Sequence, residues 1–168
     1  MTDRCDCGFG DDSVSIDDIP ARARAGADAI AAALRGGPAV ARRPSPDRWS
    51  ALEYAAHVRD VLLTIRDRLV IGLVEDRPHF KPAYRDERLS LGLYRADEPG
   101  PVALEVVAAA AMFGRLFAAI DPGALGRDVH YGFPESTIRT LAWMGRQAVH
   151  ETEHHLADIT ENARLLSS

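Results

Sequence analysis

Four stretches of this chain place their apolar residues at the spacing of an α-helical face, and proline or glycine interrupts the chain between them. That pattern leaves a bundle of helices as the fold. The first stretch covers residues 17–35. Ile19, Ala23, Ala27, Ile30 and Leu34 form one stripe, Pro20 suits a first turn, Asp17 and Asp18 complement a positive helix end, and Gly36-Gly37 stops it. The second opens on Ser50-Ala51-Leu52-Glu53, a capping box in which the serine hydroxyl and the glutamate carboxylate each satisfy a free backbone N–H. From Ser50 it runs to about Glu75, with a wide apolar surface that includes Leu52, Ala55, Ala56, Leu62, Ile65 and Leu69. The third covers about Pro101 to Ile120, closed by Asp121-Pro122-Gly123. The fourth begins near Ser136, after Phe133-Pro134, and runs to Leu165.

The connections set the topology. Pro44 and Pro46 mark an extended linker before the second helix. Residues 76–98, with Pro78 and Pro82 and a short helix between Tyr84 and Tyr94, are long enough to return the chain along the bundle. The second and third main helices are then free to run the same way. The expected fold is all-α: a four-helix bundle with one long crossover over residues 17–168, preceded by a flexible cysteine-containing tail over residues 1–16.

Composition agrees with a single core. Of 168 residues, 46% are apolar, enough for one domain. A net charge of −5 argues against a nucleic-acid partner, which usually meets a basic face. No apolar run approaches the ~20 residues that span a membrane. The amino-terminal residues lack a basic-then-apolar secretion signal, and Cys5 and Cys7 cannot staple the fold at long range, so a reducing cytoplasm is the expected location. Two thiols one residue apart are too few to build a metal or redox site alone, and Cys5-Asp6-Cys7-Gly8 reads as part of a mobile tail.

Chemistry concentrates in His150-Glu151-Thr152-Glu153-His154-His155. His150 and His154 are four apart, so their rings leave one helix face a turn apart and can ligate one metal ion. His155 and Glu151 lie about 100° round the helix. A third ligand is His57, on an otherwise apolar part of the second helix, with Glu53 one turn earlier as a partner for its ring N–H or as a base. Glu53 has a competing role in the capping box. Three ligands leave a position open for water or substrate, which marks a working site. His150-Glu151-x-x-His154 also matches the zincin protease pattern, but the chain after His154 is too short for the usual downstream ligand segment. Arg85 and Arg88 can offer guanidinium groups to an anionic ligand, and His130, Tyr131 and Trp143 are candidates for a cavity mouth.

Trp49-Ser50-Ala51-Leu52-Glu53-Tyr54-Ala55-Ala56-His57 and the His150–His155 motif together resemble the DinB-like superfamily, related to the amino-terminal domain of mycothiol-dependent maleylpyruvate isomerase. The resemblance implies an up-down-down-up bundle, a zinc or nickel ion on His57, His150 and His154, and a tendency to form homodimers. It also implies a small-molecule substrate and, in several relatives, a low-molecular-weight thiol cosubstrate such as mycothiol. The expected activity is a metal-dependent thiol S-transferase or isomerase acting on a small electrophile. Two alternatives are a non-catalytic, stress-related metal-binding protein and a helical interaction module whose histidines merely pack.

Overall fold

A computed structural model describes Cys5 and residues 7–10, 13–132 and 136–167. Four long helices carry the bundle: α1 (Ile19–Ala33), α2 (Ala51–Val74), α4 (Pro99–Ala118) and α5 (Leu141–Leu166). Between α2 and α4 lie a two-residue strand β1 (His79–Phe80) and the short helix α3 (Arg85–Ser90). Strands β2 (Asp128–Gly132) and β3 (Ser136–Thr140) precede α5.

The capping box forms as read: Ser50 Oγ accepts from the Glu53 amide at 3.2 Å, and Glu53 Oε2 accepts from the Ser50 amide at 2.8 Å. α1 and α2 each pack on both α4 and α5 and touch one another little, so α1 and α2 are diagonal. Contacts fix the directions. Asn162, late in α5, donates to the carbonyl of Trp49, just before α2, while Leu141 at the start of α5 meets Gly72 at the end of α2. Those two helices are antiparallel. Arg59 of α2 reaches Glu105 of α4, both in the first half of their helices, so α2 and α4 are parallel. Pro20 of α1 lies against Gly114 of α4, whereas Arg22 pairs with Glu153 of α5. The order is therefore up-down-down-up, with residues 75–98 as the crossover.

The core lies where the four helices meet, with Ile30, Leu62, Leu69, Val106, Phe113, Met144 and Ile159 among its buried residues. α4 is apolar enough, at 20 residues, to cross a membrane by length and composition. In this fold its Val102, Val106, Ala109, Ala110, Phe113 and Phe117 are buried against α1 and α2. Glycine permits a very close approach of α4 to α5, since a Cβ on Gly145 would collide with the Phe117 ring.

The region before α5 departs from the sequence expectation. Residues 136–140 are a strand and not the first turn and a half of the last helix. Thr137, Ile138 and Thr140 are β-branched and pair antiparallel with β2, and Thr140 then caps α5 by accepting from the Trp143 amide at 3.2 Å. β1 adds to β2 in parallel, His79 opposite His130 and Phe80 opposite Tyr131. Arg127 ties this small sheet to the end of α2 through the carbonyls of Gly72 and Glu75. Phe133-Pro134 lies outside the described residues.

Candidate metal centre

His57 of α2 meets Glu151 and His155 of α5 inside the bundle. Glu151 Oε2 is 3.2 Å from His57 Nε2 and 3.4 Å from His155 Nε2. The helical stagger explains the pairing. Leu141, Met144, Ala148, Thr152, His155, Ile159 and Asn162 continue the inward stripe of α5 at steps of three and four, and Glu151 and His155, one turn apart, border it on the side of α2. His57 is 4% and His155 8% exposed, so neither ring is a solvated surface group.

Each member is fixed from behind. Gln147 Nε2 donates to Glu151 Oε1 at 2.8 Å, which orients the carboxylate. His155 donates from Nδ1 to Asp158 Oδ2 at 3.0 Å, and this sets its tautomer and turns Nε2 towards Glu151. Arg48 in turn holds Asp158 at 3.2 Å. Tyr54 stacks on His155, and Trp49 and Tyr94 meet His57 edge-on. Burial lowers the His57 pKa despite the Glu151 carboxylate beside it. Burial also opposes charge on His155, but hydrogen bonds to Asp158 and Glu151 outweigh it and raise that pKa. Burial alone would raise Glu151; hydrogen bonds from His155 and His57 overcome it and hold the carboxyl well below its usual range. An ionised carboxylate thus faces two imidazoles.

That donor set fits a divalent ion. The three ligand atoms lie within 4.8 Å of one another, and two imidazoles with one carboxylate form a set found in catalytic zinc sites, which keep a position open. The open side faces a cavity of about 410 Å³. α2 supplies His57, Thr64 and Arg68 to its wall, the crossover Lys81 to Glu87, the sheet Tyr131, Gly132 and Arg139, and α5 Trp143, Gln147 and Glu151. Arg68 is held by a bond to the Lys81 carbonyl and lies 5.3 Å and 5.1 Å from the Phe80 and Tyr131 ring centres. Tyr84 adopts a left-handed backbone at φ 54°, a strained conformation for a non-glycine residue, just before Arg85.

The structure regroups the residues expected from sequence. Among the described residues His57 converges with Glu151 and His155, while His150 and His154, on the neighbouring face of α5, converge with Cys5 and Cys7. The expected ligand set of His57, His150 and His154 is thus divided between two clusters, because neighbouring residues project about 100° apart round a helix. Glu53 lies apart from both clusters. Its carboxylate is 2% exposed, caps α2 and forms a bidentate pair with Arg43 at 2.6 and 2.8 Å, and it is absent from the cavity wall. Arg85 does line the cavity, paired with Asp86 at 2.9 Å. Arg88 instead holds Asp60 of α2 and does not line it. Tyr131 and Trp143 are in the wall, whereas His130 stacks on His79 with ring centres 3.9 Å apart. Sequence reasoning missed Glu151 and His155, although their i, i+4 spacing is the same as that of His150 and His154.

Comparison with known proteins gives one family and one fold. A model described as the DinB superfamily matches residues 21–159. No curated protein matches. A solved structure, YfiT from Bacillus subtilis, described as a probable metal-dependent hydrolase with an unusual four-helix bundle topology, is similar at a TM-score of 0.74. It shares 16% identity, with 88% of this chain and 87% of that one covered. At that identity the likeness speaks for the fold.

Proposed function

The chain belongs to the DinB superfamily, and from that premise we propose that it is a metal-dependent enzyme joining a low-molecular-weight thiol, of the mycothiol type, to a small anionic electrophile. The observation that carries this reading is the convergence of His57, Glu151 and His155, of which His57 and Glu151 line the cavity. Held by this set, a zinc or nickel ion would lower the pKa of a thiol or water bound beside it.

The chain's own residues do the rest. Gln147 and Asp158 keep Glu151 and His155 aimed at one point, so little reorganisation is needed when a ligand enters. Arg68, Lys81 and Arg85 bring cations to the wall, beside Asp86, Glu87 and Glu151. Asp86 is engaged by Arg85 and Glu151 by the histidines, so the remaining balance favours an anionic group such as a carboxylate. Fixed by the Lys81 carbonyl and two rings, Arg68 is the best oriented of these cations. The aromatic groups Tyr131 and Trp143 give the same wall an apolar part.

The description of YfiT favours a second reading, hydrolysis, with water in place of the thiol. Calorimetry with mycothiol and assays with maleyl-type and ester substrates on metal-loaded protein separate the two. Thiol transfer predicts mycothiol binding and a rate that falls at least about 100-fold in His57→Ala and Glu151→Ala, with helix content retained by circular dichroism. Ester cleavage without thiol binding would replace it with hydrolysis.

A further inference from the structure

The second cluster lies about 100° round α5 from the first and has no part in the cavity chemistry above. Cys7 Sγ is 3.5 Å from His150 Nε2, and Cys5 Sγ is 4.0 Å from His154 Nδ1. The four ligand atoms all lie within 4.8 Å of one another. A tetrahedral zinc ion with Zn–S near 2.3 Å and Zn–N near 2.0–2.1 Å separates its ligand atoms by about 3.3–3.8 Å. One observed distance falls inside that range, and the other needs only a few tenths of an ångström of closure.

The backbone presents both thiols to the helix. The Gly8 amide donates to the Cys5 carbonyl at 2.9 Å and the Cys5 amide to the Phe9 carbonyl at 3.1 Å, which closes a tight turn. Gly8, at φ 89°, supplies the left-handed residue this turn requires. Phe9 then stacks on the His150 ring with centres 4.7 Å apart. Below the turn, Arg22 of α1 holds Glu153 of α5 through two bonds, at 2.7 and 2.8 Å, and donates to the Ser13 carbonyl. The segment is thus docked on α5 from both sides of the cluster.

We propose that Cys5, Cys7, His150 and His154 form a structural metal site for a soft divalent ion, zinc by its chemistry, that clasps the amino-terminal segment to α5. Two thiolates and two imidazoles complete a tetrahedral shell, so this site leaves no position for substrate. Binding releases the two thiol protons to solvent and needs no oxidant or reductant. The turn supplies two ligands and the helix the other two, so neither half holds the ion alone.

The test uses the full chain, untagged and reduced, titrated with Co(II) alone. One cobalt per chain should show sulfur-to-metal charge-transfer absorption in the near ultraviolet. That absorption should persist in His57→Ala, which cripples only the cavity site, and vanish in Cys7→Ser and in His150→Ala. Zinc affinity of the thiol site, measured by chelator competition in the His57→Ala background, should fall at least 100-fold in Cys7→Ser. The cysteines lie outside the bundle, so Cys7→Ser keeps its helix content and stays interpretable if the histidine variants unfold. Absence of charge-transfer absorption from the reduced wild-type chain would overturn the proposal. So would undiminished absorption in a folded His150→Ala/His154→Ala double variant.

Discussion

At the scale of single residues, Glu53 shows how one side chain serves only one of two roles open to it. In sequence it lies one turn before His57, where a base or an orienting carboxylate belongs. In the fold its oxygens are taken by the Ser50 amide and the Arg43 guanidinium. Burial alone would raise its pKa, but Arg43 and the helix cap outweigh that and lower it. The contribution of a carboxylate lowered in this way is fully present above its unfolded pKa, about 4.3, and fades as pH falls through the folded value. Glu53→Gln should therefore cost about 1–3 kcal/mol at neutral pH and less below pH ~4, read by urea denaturation at both pH values. Metal content and turnover should be unchanged once folding is matched. The capping role was legible because it depends on neighbours in sequence. Arg43 was not, because its reach to Glu53 depends on how the chain between Pro44 and Pro46 bends.

At the scale of elements, α5 is where the sequence reading and the structure group the candidate ligands differently. Its histidine spacing pointed to one candidate ligand face, but the helix has two, and periodicity alone does not say which looks towards α2. The inward stripe through Met144, Ala148 and Ile159 leads to His155, and that was the available signal. The strand at 136–140 was hidden for another reason. Its partner β2 and the parallel strand β1 pair across long sequence distances, and short β-branched runs beside a helix read as its continuation. The same helix contains Gly145, where the Phe117 ring lies too close for any side chain. Gly145→Ala should destabilise the bundle by about 1–3 kcal/mol through overpacking, despite alanine's better helix propensity. Chemical denaturation measures the net effect, and an increase in stability would mean α4 and α5 can separate freely.

For the whole molecule, the crossover decides the topology. α2 rises about 36 Å at 1.5 Å per residue, so a parallel neighbour needs a connection that returns most of that length. An extended chain covers at most ~3.3–3.6 Å per residue, so about ten residues is the lower limit. Residues 75–98 exceed it and use the surplus to build β1, α3 and one wall of the cavity. Replacing residues 76–97 by a five-residue linker should abolish the monomeric fold and yield swapped dimers or aggregates. Size-exclusion chromatography with circular dichroism distinguishes these from a monomeric antiparallel bundle. The four helices and this crossover were legible from proline, glycine and apolar spacing. The pairing of β1 with β2 and the docking of Cys5 and Cys7 on α5 were not, because both depend on partners far along the chain.

The contact between Cys5 and His154 spans 149 residues, nearly the length of the fold. During translation the thiols of Cys5 and Cys7 leave the ribosome long before the histidines that face them, and nothing nearby in sequence can stand in for α5. The turn therefore cannot dock before α5 has been made. The order of synthesis thus makes a completed α5 the condition for any contact between these two sulfurs and the histidines that face them.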